Sequence, residues 1–153
     1  MKKLKSILLS ATVAVSLLSA SSSAFALGDA KEPDSFNDPN VFSGISDAFE
    51  GTIVLDPDKG MDFDYYKWTN DTGQDKSFFV NFDTYQNRSL DYMIREIDVG
   101  GSSNRISSET GREVWQIYLR AGETLRIKVG ARNALQIDPN VKYVISLGNN
   151  PWF

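Results

Sequence analysis

Trp115-Gln116-Ile117-Tyr118-Leu119-Arg120-Ala121-Gly122-Glu123-Thr124-Leu125-Arg126-Ile127-Lys128-Val129 is the stretch whose reading decides the fold. Trp115, Ile117 and Leu119 alternate with Val114, Gln116 and Tyr118. After the turn-forming Arg120-Ala-Gly-Glu, Leu125, Ile127 and Val129 alternate with Arg126 and Lys128. A period of two sends one set of side chains to a packed face and the other to solvent, as in an antiparallel sheet covered on one side.

The same alternation recurs outward from this stretch. Phe78, Val80 and Phe82 share one parity, and Tyr143, Ile145 and Leu147 share another. Seven strands are expected, over 50–55, 63–69, 77–83, 90–97, 113–119, 124–130 and 141–147. Their separators carry turn chemistry: Asn70-Asp-Thr-Gly, Gly100-Gly-Ser-Ser-Asn and Asp138-Pro-Asn. Short strands at this spacing form a sandwich or a barrel. The only helical expectation is a single turn over 45–49, capped by Ser43 or Ser46.

The N-terminus reads as an export signal over residues 1–26. Lys2, Lys3 and Lys5 precede an apolar run from Ile7 to Leu18, and Ala24-Phe25-Ala26 fits a small-x-small cleavage site. The apolar run is short of the ~20 residues that a spanning helix needs. Residues 27–44, rich in Asp, Asn, Pro, Ser and Gly, read as an extended acidic arm, and 45–153 as one β-domain. The export segment holds three of the 16 Lys and Arg and none of the 20 Asp and Glu, leaving 13 basic against 20 acidic side chains, a net of −7. That field disfavours nucleic acid and anionic lipid as partners. The chain has no cysteine and no histidine. Triads and dyads built on His are therefore impossible, and so are metal sites built on imidazole or thiolate. Any metal must be a hard, oxygen-liganded cation.

Two acidic runs could hold one. Asp56-Pro-Asp58-Lys-Gly-Met-Asp62-Phe-Asp64 puts four carboxylates in nine residues, and Glu32-Pro33-Asp34-Ser35-Phe36-Asn37-Asp38 lies at a separate point in the chain. Like charges this close persist either in full solvation or around a cation. A helix-loop-helix calcium loop counted from Asp56 fails, because its sixth and twelfth positions hold Met61 and Lys67. A solvated acidic turn and a shared cation site both remain open on these residues.

In order and spacing, several motifs resemble the bacterial pre-peptidase C-terminal domain family. They are Glu32-Pro33-Asp34-Ser35-Phe36, Gly51-Thr52-Ile53, Asp62-Phe-Asp64-Tyr-Tyr-Lys-Trp68, Ser89-Leu-Asp-Tyr-Met-Ile, Ala121-Gly-Glu-Thr124 and Tyr143-Val-Ile-Ser-Leu. The resemblance spans about residues 31–147 and extends to the collagen-binding domains of clostridial collagenases. It implies an all-β, antiparallel β-sandwich of jelly-roll type, with seven to eight strands and an extended N-terminal arm. It also implies calcium held between the arm and the loop before the Asp-x-Asp strand. Carried over by position, the implied ligands are Glu32, Asp34, Asp62 and Asp64, with Asp58 and Ser35 as further candidates. Two positions depart from the pattern: Asp34 stands where the family prefers Asn, and Ala30 where the collagenase relatives place an acid.

Tyr65 and Tyr118 have the opposite parity to their apolar neighbours, so both are expected to point outward and offer a ligand-binding surface. Trp152-Phe153 would cover a sheet edge or stay loose. Catalysis would have to rest on carboxylates alone, and no pair among Glu50, Glu96, Glu109 and Glu113 stands out. The expectation is a secreted, monomeric, non-catalytic module, stabilised by calcium, that binds an extracellular polymer: fibrous protein, polysaccharide or cell wall. The alternatives are a chaperone or inhibitor-like module for a co-secreted hydrolase, and a small carboxylate-only hydrolase.

Overall fold

The computed structural model describes residues 26–58 and 60–152. All of the expected export segment except Ala26 lies outside them, as does Phe153. The strands in chain order are β1 (Ala26–Asp29), β2 (Asn40–Val41), β3 (Asp47–Thr52), β4 (Leu55–Asp56), β5 (Gly60–Met61), β6 (Asp64–Thr69), β7 (Lys76–Asp83), β8 (Tyr92–Val99), β9 (Ser102–Glu109), β10 (Arg112–Leu119), β11 (Thr124–Ala131) and β12 (Lys142–Gly148). A six-stranded sheet in the order β1-β3-β12-β7-β10-β9 faces a four-stranded sheet in the order β2-β6-β11-β8, and β4 and β5 form a small ribbon. The chain is an all-β sandwich. From β6 to β12 every connection except the β9–β10 hairpin crosses between the sheets, as in a jelly-roll-type sandwich.

The core follows from the alternation. Phe78, Val80 and Phe82 on β7, Ile117 and Leu119 on β10, and Tyr143, Ile145 and Leu147 on β12 are buried against Tyr66 and Trp68 of β6 and Leu125, Ile127 and Val129 of β11. Rings interlock across the layer, with Trp68 edge-on to Phe78 at 5.2 Å and Phe82 tilted on Tyr143 at 5.2 Å. Each fully buried side chain of this kind contributes ~1.5–3 kcal/mol.

Several expectations are corrected. The sheets are not wholly antiparallel: β1 pairs parallel with β3, and β2 parallel with β6. Both parallel strands come from the arm, which is thus stitched into both sheets by backbone hydrogen bonds and is not merely extended beside them. The helical turn over 45–49 is absent, since Asp47–Thr52 is a strand that pairs with β12. No strand is expected between residues 97 and 113, yet Ser102–Glu109 forms β9. It is an edge strand of exposed residues, so no buried face imposes an alternating pattern on its sequence. The chain crosses from β8 in the four-stranded sheet to β9 in the six-stranded one at Gly100-Gly101, where a Cβ on Gly101 would lie 2.1 Å from the Tyr118 carbonyl oxygen.

The C-terminal residues cover a sheet face, not an edge. The Trp152 N–H donates to Asn81 Oδ1 at 2.9 Å, and Asn81 Nδ2 donates to the Asn150 carbonyl at 3.2 Å. Asn81 points away from the core by parity yet is fully buried, because this returning segment lies on it.

Candidate metal centre

The site forms where the arm crosses the start of β6. Asp64 opens that strand with the inward parity of Tyr66 and Trp68, so its carboxylate is carried into the sandwich and is fully buried. Glu32 and Asp34 lie on the crossing between β1 and β2. Each of the three residues offers a carboxylate oxygen, and the three oxygens lie within 4.8 Å of one another.

Donors from both sheets fix these carboxylates. Asp34 Oδ2 accepts the Tyr65 backbone N–H at 2.8 Å and Asn40 Nδ2 at 2.7 Å, which ties the arm to β6. The Tyr143 hydroxyl of β12 donates to Asp64 Oδ2. Its only proton is thereby used, so Tyr66, whose hydroxyl lies 2.6 Å away, must donate to Tyr143. The relay Tyr66 to Tyr143 to Asp64 crosses the core from one sheet to the other. Gly51 leaves room for it: a Cβ there would stand 2.6 Å from the Tyr143 hydroxyl oxygen.

The remaining oxygens are orphaned. Asp34 Oδ1 and Asp64 Oδ1 are buried and have no hydrogen-bond partner. A buried acceptor without a donor costs ~1–3 kcal/mol, and more when charged. The protonation equilibria carry the same strain. Loss of water, then repulsion from Asp34 and Asp62, raises Glu32 to about 7. Asp34 is raised to about 6, chiefly by burial and against the pull of the Tyr65 N–H. Asp64 is raised to about 8 by burial, against the Tyr143 hydroxyl and with the repulsion of Glu32, Asp34 and Asp62. Each shift is the signature of a negative charge lacking a counter-charge. A hard cation set among these oxygens would satisfy the orphaned acceptors and the charge together.

Of the residues singled out in the sequence, Glu32, Asp34 and Asp64 are brought together. Asp62 is close enough to raise all three, while its Oδ1 accepts the Phe63 N–H at 2.9 Å. Asp58 is not brought in. It is exposed beyond β4, its N–H donating to Asp56 Oδ1 at 2.8 Å. Ser35 is turned to its own loop, where its Oγ accepts the Asp38 N–H at 3.1 Å. Sequence reasoning missed Asn40, which carried no signal, and Tyr143, which reads as an ordinary core aromatic.

The two tyrosines do not share a surface. Tyr65 lies on the outer side of the four-stranded sheet and Tyr118 on the outer side of the six-stranded sheet, so the sandwich separates them. The Tyr118 hydroxyl is also engaged, donating to Asp75 Oδ2 at 2.5 Å, and Asp75 Oδ1 accepts the Ala121 N–H at 3.1 Å. Tyr118 thereby pins the turn between β10 and β11. Two further carboxylates are likewise engaged: Glu50 pairs with Lys142 at 2.5 Å, and Glu113 Oε2 accepts the Trp115 indole N–H at 2.8 Å.

Comparison of the chain with family models and with curated proteins finds no match.

Proposed function

We propose that this chain is a secreted, non-catalytic binding module for an extracellular polymer, and that a calcium ion held by Glu32, Asp34 and Asp64 locks its N-terminal arm to the sandwich. One observation carries the metal reading. Three carboxylates from two separate parts of the chain converge within 4.8 Å, with buried oxygens on Asp34 and Asp64 that no protein donor reaches. That spread is no wider than the ~5 Å across a calcium coordination shell, whose oxygens sit 2.3–2.6 Å from the ion. The ligands are hard oxygens only, which favours calcium over softer metals. Calcium takes six to eight oxygens, so carboxylate bidentacy, Asp62 or water would complete the shell.

The order of motifs resembling the pre-peptidase C-terminal domain supports the same reading, and the leader-like residues 1–26 support export. The role as a binder rests on a rigid sandwich whose core and turn carboxylates are used structurally. The test is a calorimetric calcium titration of the mature protein, paired with thermal melts. Binding to the native state alone adds ~2.7 kcal/mol at a hundredfold excess over Kd. For a domain of this size that raises the melting temperature by about 10 °C. Identical melts in chelator and in millimolar calcium would remove the metal.

A further inference from the structure

A cleft of about 330 Å³ opens at the end of β6 away from Asp64, between the β2–β3 crossing and the turn that leads into β7. Trp68 forms part of its wall, with Ile45, Asp71, Lys76, Ser77 and Asn149 around it. Its size falls within the ~300–1,000 Å³ of small-molecule sites. We propose that this cleft binds one N-acetylated sugar residue of a neutral extracellular glycan, through its acetamido group. The proposal rests on the polymer-binding part of the reading above and not on the metal, and it adds a subsite and a ligand class.

The Trp68 ring is only 3% exposed and is held edge-on to Phe78 at 5.2 Å. Its indole N–H nevertheless has no acceptor among the described residues. Trp115, by contrast, gives its indole N–H to Glu113. A buried indole N–H ordinarily finds a partner, so one left open beside a cleft is a place for a ligand's acceptor. Lys76 adds a second donor. It has the inward parity of Phe78 and Val80 and pairs with Leu119 at the start of β7, which carries its side chain to the mouth of the sandwich. Among the described residues its ammonium forms no ion pair and no hydrogen bond. Both groups can only donate, so the ligand must accept.

The rest of the wall selects the ligand class. The carboxylate of Asp71 also has no partner among the described residues, and it calls for a donor. Ile45 supplies a half-buried apolar surface beside them. It is fixed there by Ser46, whose φ of 88° lies in the left-handed region and whose N–H donates to the Leu147 carbonyl at 2.7 Å. Such backbone strain persists only where the surroundings hold it. An acetamido group meets all three demands: its carbonyl accepts from Trp68 and Lys76, its methyl packs on Ile45, and its N–H and the neighbouring hydroxyls donate to Asp71. A sugar with hydroxyls alone leaves Ile45 without a contact. A polyanion would meet Asp71 and the acidic field of the whole chain. A peptide brings the carbonyl, but only some of its side chains bring hydroxyls, whereas every N-acetylated sugar residue carries them on its ring.

The experiment is an NMR titration of the mature protein with N-acetyl-chitohexaose and with cellohexaose, followed through backbone amides and the three indole N–H signals. The two oligomers share a β-1,4 backbone and differ in an acetamido group against a hydroxyl. Gelatin peptides and polygalacturonate are titrated beside them in the same calcium-containing buffer. Saturable shifts are expected with N-acetyl-chitohexaose at the Trp68 indole and at the amides of Ile45, Asp71 and Ser77. Its binding should be about tenfold or more tighter than that of cellohexaose. Trp68→Phe keeps a buried ring but removes the donor, and should weaken binding about two- to tenfold, the range for one hydrogen bond. Lys76→Met keeps the stem, leaves the core alone and should weaken it about tenfold, so the test does not hang on how well the Trp68 variant folds. No saturable shift with N-acetyl-chitohexaose overturns the proposal, as does equal or tighter binding of cellohexaose, gelatin peptides or polygalacturonate. So does N-acetyl-chitohexaose binding that both variants leave unchanged. A pull-down on insoluble cell wall, collagen and cellulose tests the polymer reading separately. Retention there with no shift in the cleft sinks the cleft alone, and no retention with no shift sinks both.

Discussion

At the scale of single residues the chain is governed by where a carboxylate loses its water. Asp64 is charged in an ordinary β pattern, yet its parity puts it where Tyr66 and Trp68 go, into the core. Its folded-state value, about 8, stands far above the ordinary 3.8. Glu32 at about 7 and Asp34 at about 6 are displaced in the same direction. Without metal the folded state therefore binds protons more tightly than the unfolded chain. The apo fold is most stable below about pH 4 as far as these groups are concerned, and it loses that stability as pH rises through 6, 7 and 8. A calcium ion bound by these carboxylates would reverse the trend, because it would displace the same protons and bind better as they leave. Melting temperatures in chelator are expected to fall between pH 5 and pH 8, while those in calcium hold level or rise. Parallel curves in the two conditions would mean that the carboxylates titrate without reference to a cation.

At the scale of elements, legibility tracked burial. Strands β6, β7, β10, β11 and β12 could be read because one face of each is packed, which writes a period of two into the sequence. Strand β9 could not be read, since serines and asparagine on an exposed edge satisfy its ladder with β10 without any burial pattern. The pairings of β1 and β2 were hidden for another reason: partner choice in a two- to four-residue strand is set by where the chain must travel, not by its composition. The acidic site was half legible. Charge density pointed to Glu32, Asp34 and Asp64, but the same density wrongly drew in Asp58, whose turn faces solvent. Only the fold distinguishes a carboxylate aimed inward from one left in water. The arm carries its own prediction. Its crossing over 30–39 is tied down by Asp34, through Tyr65 and Asn40, and by the Arg126 contact with Phe36. If a cation completes the clamp, protease should cut within 30–39 quickly in chelator and slowly in calcium, with the sandwich from about residue 47 surviving in both. Equal cleavage would show that the backbone pairing of β1 and β2 suffices to hold the arm.

Across the whole molecule, the relay from Tyr66 through Tyr143 to Asp64 makes the two sheets and the arm one mechanical unit. Tyr66 and Asp64 come from the four-stranded sheet, Tyr143 from the six-stranded one, and Glu32 and Asp34 from the chain that crosses between the sheets. A cation bound by the carboxylates would thus brace the closure of the sandwich as well as a loop. Tyr143→Phe separates the two contributions. It keeps the buried ring against Phe82 but removes the donor to Asp64 and leaves the Tyr66 hydroxyl without its acceptor. The direct cost is expected to be ~1–3 kcal/mol in chelator, the range for a buried polar group left unpaired. The metal cost is separate, because partners that orient a ligand are typically worth 10–100-fold in affinity. A tenfold weaker Kd lowers the stabilisation by saturating calcium by ~1.4 kcal/mol. Denaturant melts of both proteins, each with and without calcium, give both quantities from one set of curves. A variant destabilised in chelator, with an undiminished calcium increment, would make the relay a feature of the core alone. Loss of both together would mean that the hydroxyl chain carries the pull of the ion from the arm, through Asp64, into the facing sheet.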